Sequence, residues 1–290
     1  MLHSIRLLVS LSTLLPTLSS CSGDDSGSAE ECETSIASDA PSFFQKYFKC
    51  VTITMSGDSV VIASKGLPPH KSFYYKSTEP NYTEFESQGD DYYKNPNSIL
   101  EQNISMTIPS NPTTRGLTIN NSLVDGMVGN STNEYDMGAV GVALDSVALF
   151  NPLVAPGDDI EDEKYSFDAY NGHPQNSGTY HYHTDSAGPL EVLKDAGLTT
   201  GTTPGQGELE VYGIMCDGTV IMGCTELDGT APESSDLDSQ NGHSHDLVDE
   251  GGTTQLTNRY HTHICTETLT NHKFTPEIQH YQDCSITNSN

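Results

Sequence analysis

The chain has 290 residues, with 40 acidic against 12 basic side chains, a net charge of −28 and a pI near 4.4. A surface this acidic repels phosphate backbones and anionic bilayers, which excludes nucleic acid as a partner and any polybasic mode of lipid binding. Histidine is plentiful at 11 residues, and tryptophan is absent.

Taken in chain order, Met1 to Arg6 is a short, weakly positive head, and Leu7 to Leu18 is a mostly apolar run interrupted by Pro16. So short a run is the core of an export signal rather than a membrane span. Leu18-Ser19-Ser20-Cys21 follows. This segment resembles a bacterial lipobox, which implies removal of residues 1–20 as a signal peptide and acylation of Cys21; the alternative is an ordinary secretory signal that leaves Cys21 unmodified. Residues 21–40 are small, polar and acidic, the composition of a lipidated N-terminus and flexible tether. The expected location is the outer membrane or cell surface of a bacterium, with contact to the membrane through the lipid anchor only, or secretion if Cys21 stays bare.

From residue 41 to 290 no second linker of that composition occurs, so one globular domain is expected. Strand signals separated by turns fall at Val51 to Met55, Val60 to Ala63, Ile104 to Ile108, Val140 to Leu144, Val147 to Phe150, Leu209 to Met215 and Thr219 to Met222. Helical pattern is confined to Ser42 to Phe48 and Pro189 to Ala196. The expected fold is mainly β, a single compact domain of short strands and long loops with few short helices. The acidic run Asp158 to Glu163 lacks the spacing of a calcium loop and reads as a solvated loop. Besides Cys21 there are six cysteines, Cys32, Cys50, Cys216, Cys224, Cys265 and Cys284, none in a C-x-x-C. An even set in an exported chain favours disulfides over thiolate metal sites, and sequence neighbours are the simplest pairing.

Two segments share one skeleton. Asp168-Ala169-Tyr170-Asn171-Gly172-His173 is followed by Tyr180-His181-Tyr182-His183, and Asp238-Ser239-Gln240-Asn241-Gly242-His243 by Tyr260-His261-Thr262-His263. Alternation in Y-H-x-H predicts a strand with both histidines on one face and the aromatic residue behind. Each N-G predicts a turn, which puts His173 and His243 on loops that fold back over the strands. Three imidazoles per segment, His173, His181, His183 and His243, His261, His263, match the number that holds a metal ion with one position open, with zinc or copper favoured by imidazole donors. If the two segments pair as antiparallel neighbours, all six would line one common site. Asp168, with His173, His181 and His183, is a candidate acid or base; Asp168 and Asp238 could each orient a ligand histidine through its outer nitrogen, and serve equally well as caps of their turns. Asp217, in the D-G dipeptide, is most economically a turn residue.

The stretch Asn171 to His183, N-G-H-P-x-x-S-G-T-Y-H-Y-H, resembles the signature of the YHYH domain family. Gly66-Leu67-Pro68-Pro69-His70, Gly138 to Pro152, Tyr212 to Gly223 and Leu237 to His263 agree in order, so the likeness covers about residues 66–265. Ile221-Met222-Gly223 and Thr262 depart from the usual pattern, in which aromatic residues are common. The resemblance implies an exported protein and carries no established reaction. The reading is therefore a surface-anchored, histidine-rich protein that binds zinc or copper. The alternatives are a metal-assisted or His/Asp acid-base hydrolase or lyase, and an adhesion or small-molecule-binding module with structural histidines.

Overall fold

The computed structural model describes residues 32–153, 160–265 and 275–289. The signal, Cys21, His3, His272 and part of the acidic run lie outside the described residues. In β2 (Val51–Ser56) the alternating sequence buries Val51 and Ile53 and leaves Thr52 and Thr54 in solvent, as a strand with one wet face does. It turns through Gly57, at φ +58°, into β3 (Ser59–Ser64), a two-residue connection that needs a left-handed residue. With β1 (Ser35–Ile36), β4 (Asn103–Pro109) and β13 (Ser285–Ser289), these strands form a five-stranded sheet in the order β1-β2-β3-β4-β13. The pairing of β1 with β2 and the Cys32–Cys50 disulfide draw residues 32–40, which composition assigns to the tether, into the fold.

The second sheet has eight strands: β5 (Ala139–Ala143), β6 (Ala148–Phe150), β7 (Gly172–Pro174), β8 (Tyr180–Tyr182), β9 (Val211–Met215), β10 (Val220–Met222), β11 (Gly242–Val248) and β12 (Thr254–His263). Their order is β11-β12-β10-β9-β5-β6-β8-β7. Strands β5 to β8 and β9 to β12 are two copies of one unit. In each copy the first two strands form a hairpin, the second runs parallel to the fourth, and the fourth pairs antiparallel with the third. The copies meet where Val142 pairs with its own counterpart Ile214, so a local two-fold passes through that pair. Sequence follows structure here: G-V-A-L-D at Gly141 to Asp145 corresponds to G-I-M-C-D at Gly213 to Asp217. Both glycines are required by close approach, since a Cβ would lie 2.7 Å from Ile214 O at Gly141 and 2.5 Å from Val142 O at Gly213.

The mainly β expectation holds. The helices α1 (Ser42–Tyr47), α2 (Ile160–Glu163) and α3 (Ala187–Asp195) are short. Helix α3 begins two residues before the predicted start because Ser186, whose side chain accepts from Gly188 N, is its cap. One apolar cluster runs from Phe43 and Ile53 through Ile104 to Val142, Ile214 and Val220, so the two sheets share a core. Of the neighbour pairings expected among the cysteines only Cys32–Cys50 is found; the others are Cys216–Cys284 and Cys224–Cys265. The reason lies in the sheet: Cys216 and Cys224 sit at opposite ends of the β9–β10 hairpin, and the parallel register that sets Met222 beside His263 carries Cys224 to Cys265.

Candidate metal centres

A row of directly paired residues crosses the whole sheet: His243, His261, Val220, Ile214, Val142, Ala148, His181 and His173. Paired residues point to the same side, so both histidine groups occupy one face, at its two ends, with four aliphatic side chains between them. Convergence on a common site is therefore overturned. Strands β8 and β12 are five strand spacings apart, roughly 24 Å at about 4.8 Å each, and the donors fall into two separate groups. His173 and His243 lie on strands, not loops. In each copy the N-G turn closes before the histidine, with Asp168 N bonded to Gly172 O and Asp238 N to Gly242 O at 2.9 Å, and with Asn171 and Asn241 left-handed at φ +57° and +58°.

In the first centre His173, His181 and His183 are buried, and His181 Nε2 lies 3.1 Å from both His173 Nε2 and His183 Nε2. An ion about 2.0–2.1 Å from tetrahedral nitrogen donors sets them roughly 3.3 Å apart, so the three rings are spaced for one ion. The outer nitrogens are committed elsewhere: His181 Nδ1 to Thr179 O at 3.0 Å, His183 Nδ1 to Asn151 O at 2.6 Å and His173 Nδ1 to Ser166 Oγ at 2.5 Å. A carbonyl oxygen only accepts, so Nδ1 of His181 and of His183 carries the proton and each Nε2 presents a lone pair. Phe150 stacks on His181 with ring centres 3.7 Å apart. Burial lowers His173 to about 3 and His183 to about 4, and pushes His181 well below the usual histidine range. Glu163 Oε1, on α2, lies 3.5 Å from His173 Nε2.

In the second centre the carboxylate of Glu226 sits among four imidazoles. Its Oε1 is 3.0 Å from His243 Nε2 and 3.3 Å from His263 Nε2, and its Oε2 is 3.1 Å from His261 Nε2 and 3.3 Å from His245 Nε2. His261 Nδ1 donates to Arg259 O at 3.0 Å and His263 Nδ1 to Gly223 O at 2.9 Å. Gly223 is the counterpart of Asn151 in the first copy, so the same backbone carbonyl orients the same histidine twice, as the outer partners of metal ligands do. Burial works to raise the Glu226 carboxyl, but the adjoining imidazoles of His261 and His263 more than offset it and leave it below the carboxylate range. Burial lowers His243 to about 4.

The reverse face belongs to the tyrosines. Asp168 accepts from Tyr180 OH at 2.8 Å, Ser72 Oγ at 2.5 Å and Tyr170 N at 2.9 Å, which makes it a cap of its turn directed away from the imidazoles rather than an acid or base among them. Asp238 does the same with Tyr260 OH at 2.7 Å. His70 joins this face, 2.9 Å from Tyr182 OH and stacked on Tyr170. Asp217 is the turn residue expected, accepting from Thr219 N at 2.9 Å and from Tyr135 OH at 2.8 Å. Tyr135 thus supplies to Asp217 the hydroxyl that Tyr182 supplies to Asp145, which accounts for Thr262 at the place of a tyrosine. Sequence reasoning missed Glu226, which no motif marks, and Glu163, hidden in the acidic run; it also missed the repeat of Gly141 to Asp145 at Gly213 to Asp217, which was there to be aligned.

The model of a family described as YHYH protein matches residues 105–249, half of the chain. That span covers the first histidine segment and ends at the close of β11, before Tyr260 to His263. No curated protein and no solved structure matches the chain.

Proposed function

The chain belongs to the YHYH family, and from the geometry of its histidines we propose that it is an exported metal-binding protein with two separate ion centres, one per copy of the repeated unit. The observation that carries this reading is the pair His181 and His183. Two lone pairs 3.1 Å apart repel unless a proton or a cation lies between them, and a buried imidazolium is disfavoured by loss of hydration. A metal ion resolves the contact and uses all three imidazoles of the centre. Zinc(II) and copper(II) are among the ions whose preferences match imidazole donors with a neighbouring carboxylate. Three disulfides among the described residues support an oxidising compartment. No helix among the described residues is long and apolar enough to cross a membrane, and the lipobox-like Leu18 to Cys21 segment supports attachment through Cys21.

The test is the metal content of protein purified without a histidine tag, loaded with Zn²⁺ or Cu²⁺ and desalted. Replacing His181 and His183 together with alanine should remove the first centre's ion and leave the second centre loaded. The His261 and His263 pair should do the converse, and His272→Ala should change nothing. A wild-type chain that retains no metal after loading would overturn the reading.

A further inference from the structure

The two centres are unequal, and we propose that the second holds two divalent cations bridged by Glu226, with His245 as a ligand of one of them. This rests on the metal-binding reading above. The two oxygens of Glu226 face different imidazole pairs. Oε1, His243 Nε2 and His263 Nε2 are separated by 3.0, 3.3 and 3.3 Å, close to the edges of a tetrahedron around one ion. Oε2 faces His261 Nε2 at 3.1 Å and His245 Nε2 at 3.3 Å, with ring centres of that pair 4.6 Å apart.

Hydrogen inventory leads to the same count. His245 Nδ1 donates to Asp246 O at 2.8 Å, as His261 and His263 donate to their own carbonyls. In the neutral rings their Nε2 atoms therefore aim lone pairs at carboxylate oxygens, which also only accept. A single ion on Oε1 relieves His263 and leaves His261 and His245 facing Oε2, acceptor against acceptor. A cation at each oxygen relieves both sides, and a bridging carboxylate sets such ions about 3.5–4 Å apart.

The first copy is an internal control. Gln175 stands at the counterpart of His245 and turns its amide to Ser177 Oγ at 3.0 Å, while Glu163 meets His173 through one oxygen at 3.5 Å. Among the described residues, that backbone brings no imidazole to the place of His245. His245 is 43% exposed at its side chain, so the added position opens to solvent.

The experiment is zinc stoichiometry by elemental analysis, with electron paramagnetic resonance of the Cu²⁺-loaded chain. Expected are three ions per wild-type chain, two in His245→Ala, and two when His181 and His183 are both replaced. The wild-type Cu²⁺ spectrum should show a coupled pair, which His245→Ala converts to isolated ions. Two zinc ions per chain, unchanged in His245→Ala, would overturn the bridged pair while leaving two mononuclear centres; no retained metal would overturn both readings. His245 lies on an edge strand with its side chain partly in water, and an unchanged far-ultraviolet circular dichroism spectrum checks that its variant folds.

Discussion

Asp145→Asn should remove one group's cost of raising the pH. Asp145 is fully buried at the turn between β5 and β6, and its Oδ2 lies 2.9 Å from Tyr182 OH, which in turn lies 2.9 Å from His70 Nε2. His70 Nδ1 is directed at Lys71 O, so its Nε2 accepts. The tyrosine has one proton to give to two acceptors. If Asp145 is protonated the chain closes, the carboxyl donating to Tyr182 and Tyr182 to His70. Burial raises Asp145 from 3.8 to about 7, with the Tyr182 hydrogen bond opposing. The folded state then holds more protons than the unfolded state between about pH 4 and 7, so this group's contribution falls as pH rises through that window. Three units at about 1.36 kcal/mol each give roughly 4 kcal/mol lost by pH 8, of which about 1.6 kcal/mol is already lost at pH 5. Asparagine keeps a donor toward Tyr182 and does not titrate. Urea unfolding of wild type and Asp145→Asn at pH 5 and pH 8 should show the variant gaining on wild type by about 2–3 kcal/mol between the two. Equal differences at both pH values would refute the protonated chain.

Gly242→Ala places a Cβ 2.0 Å from Tyr260 OH, in a buried spot where Asp238 and Gln240 hold the ring. A loss of about 1–3 kcal/mol is expected in unfolding, with metal lost from the second centre and kept at the first. Replacing Cys224 and Cys265 together with serine opens a bridge across 41 residues and should lower stability by about 4 kcal/mol. Thiol labelling of the native wild-type chain should find none of the six bridged cysteines free. Cys21→Ala should release the protein from membranes into the soluble fraction, and an unacylated native terminus would defeat the anchor.

What the sequence made legible is what depends on local periodicity. Val51 to Met55, Ile104 to Ile108 and Thr219 to Met222 alternate or run apolar between turn residues, and each is a strand within two residues of the predicted bounds. The shared face of His181 and His183 follows from the two-residue period alone. Partnership across the sheet has no such local signal. Nothing in Y-H-Y-H says that β8 pairs with β6 and β7 rather than with the second Y-H-x-H strand, and the parallel steps β6 to β8 and β10 to β12 depend on long connections. Glu226 reaches its imidazoles from a loop tied to β12 by Cys224–Cys265, a contact set by tertiary structure. Two of the three neighbour pairings of the cysteines failed for the same reason, while Cys32–Cys50, local in sequence, held.

The duplication explains why the histidines sit at the ends of the sheet. A two-fold through Val142 and Ile214 buries the middle of the row as aliphatic side chains, and each valine or isoleucine enclosed there contributes about 1.5–3 kcal/mol. Polar donors in that middle would be enclosed without water or ion. At β7 and β11 the sheet ends, leaving one flank open to a carboxylate from the connection between the second and third strands of the unit, Glu163 from α2 at one end and Glu226 from the loop after β10 at the other. That flank is where the copies have diverged, in Gln175 against His245 and, among the described residues, in a carboxylate set against His173 in one copy and against four imidazoles in the other. The strand positions held in common fix three imidazoles per copy; on the metal-binding reading proposed above, the open flank, where substitution disturbs no core packing, decides how many ions each copy takes.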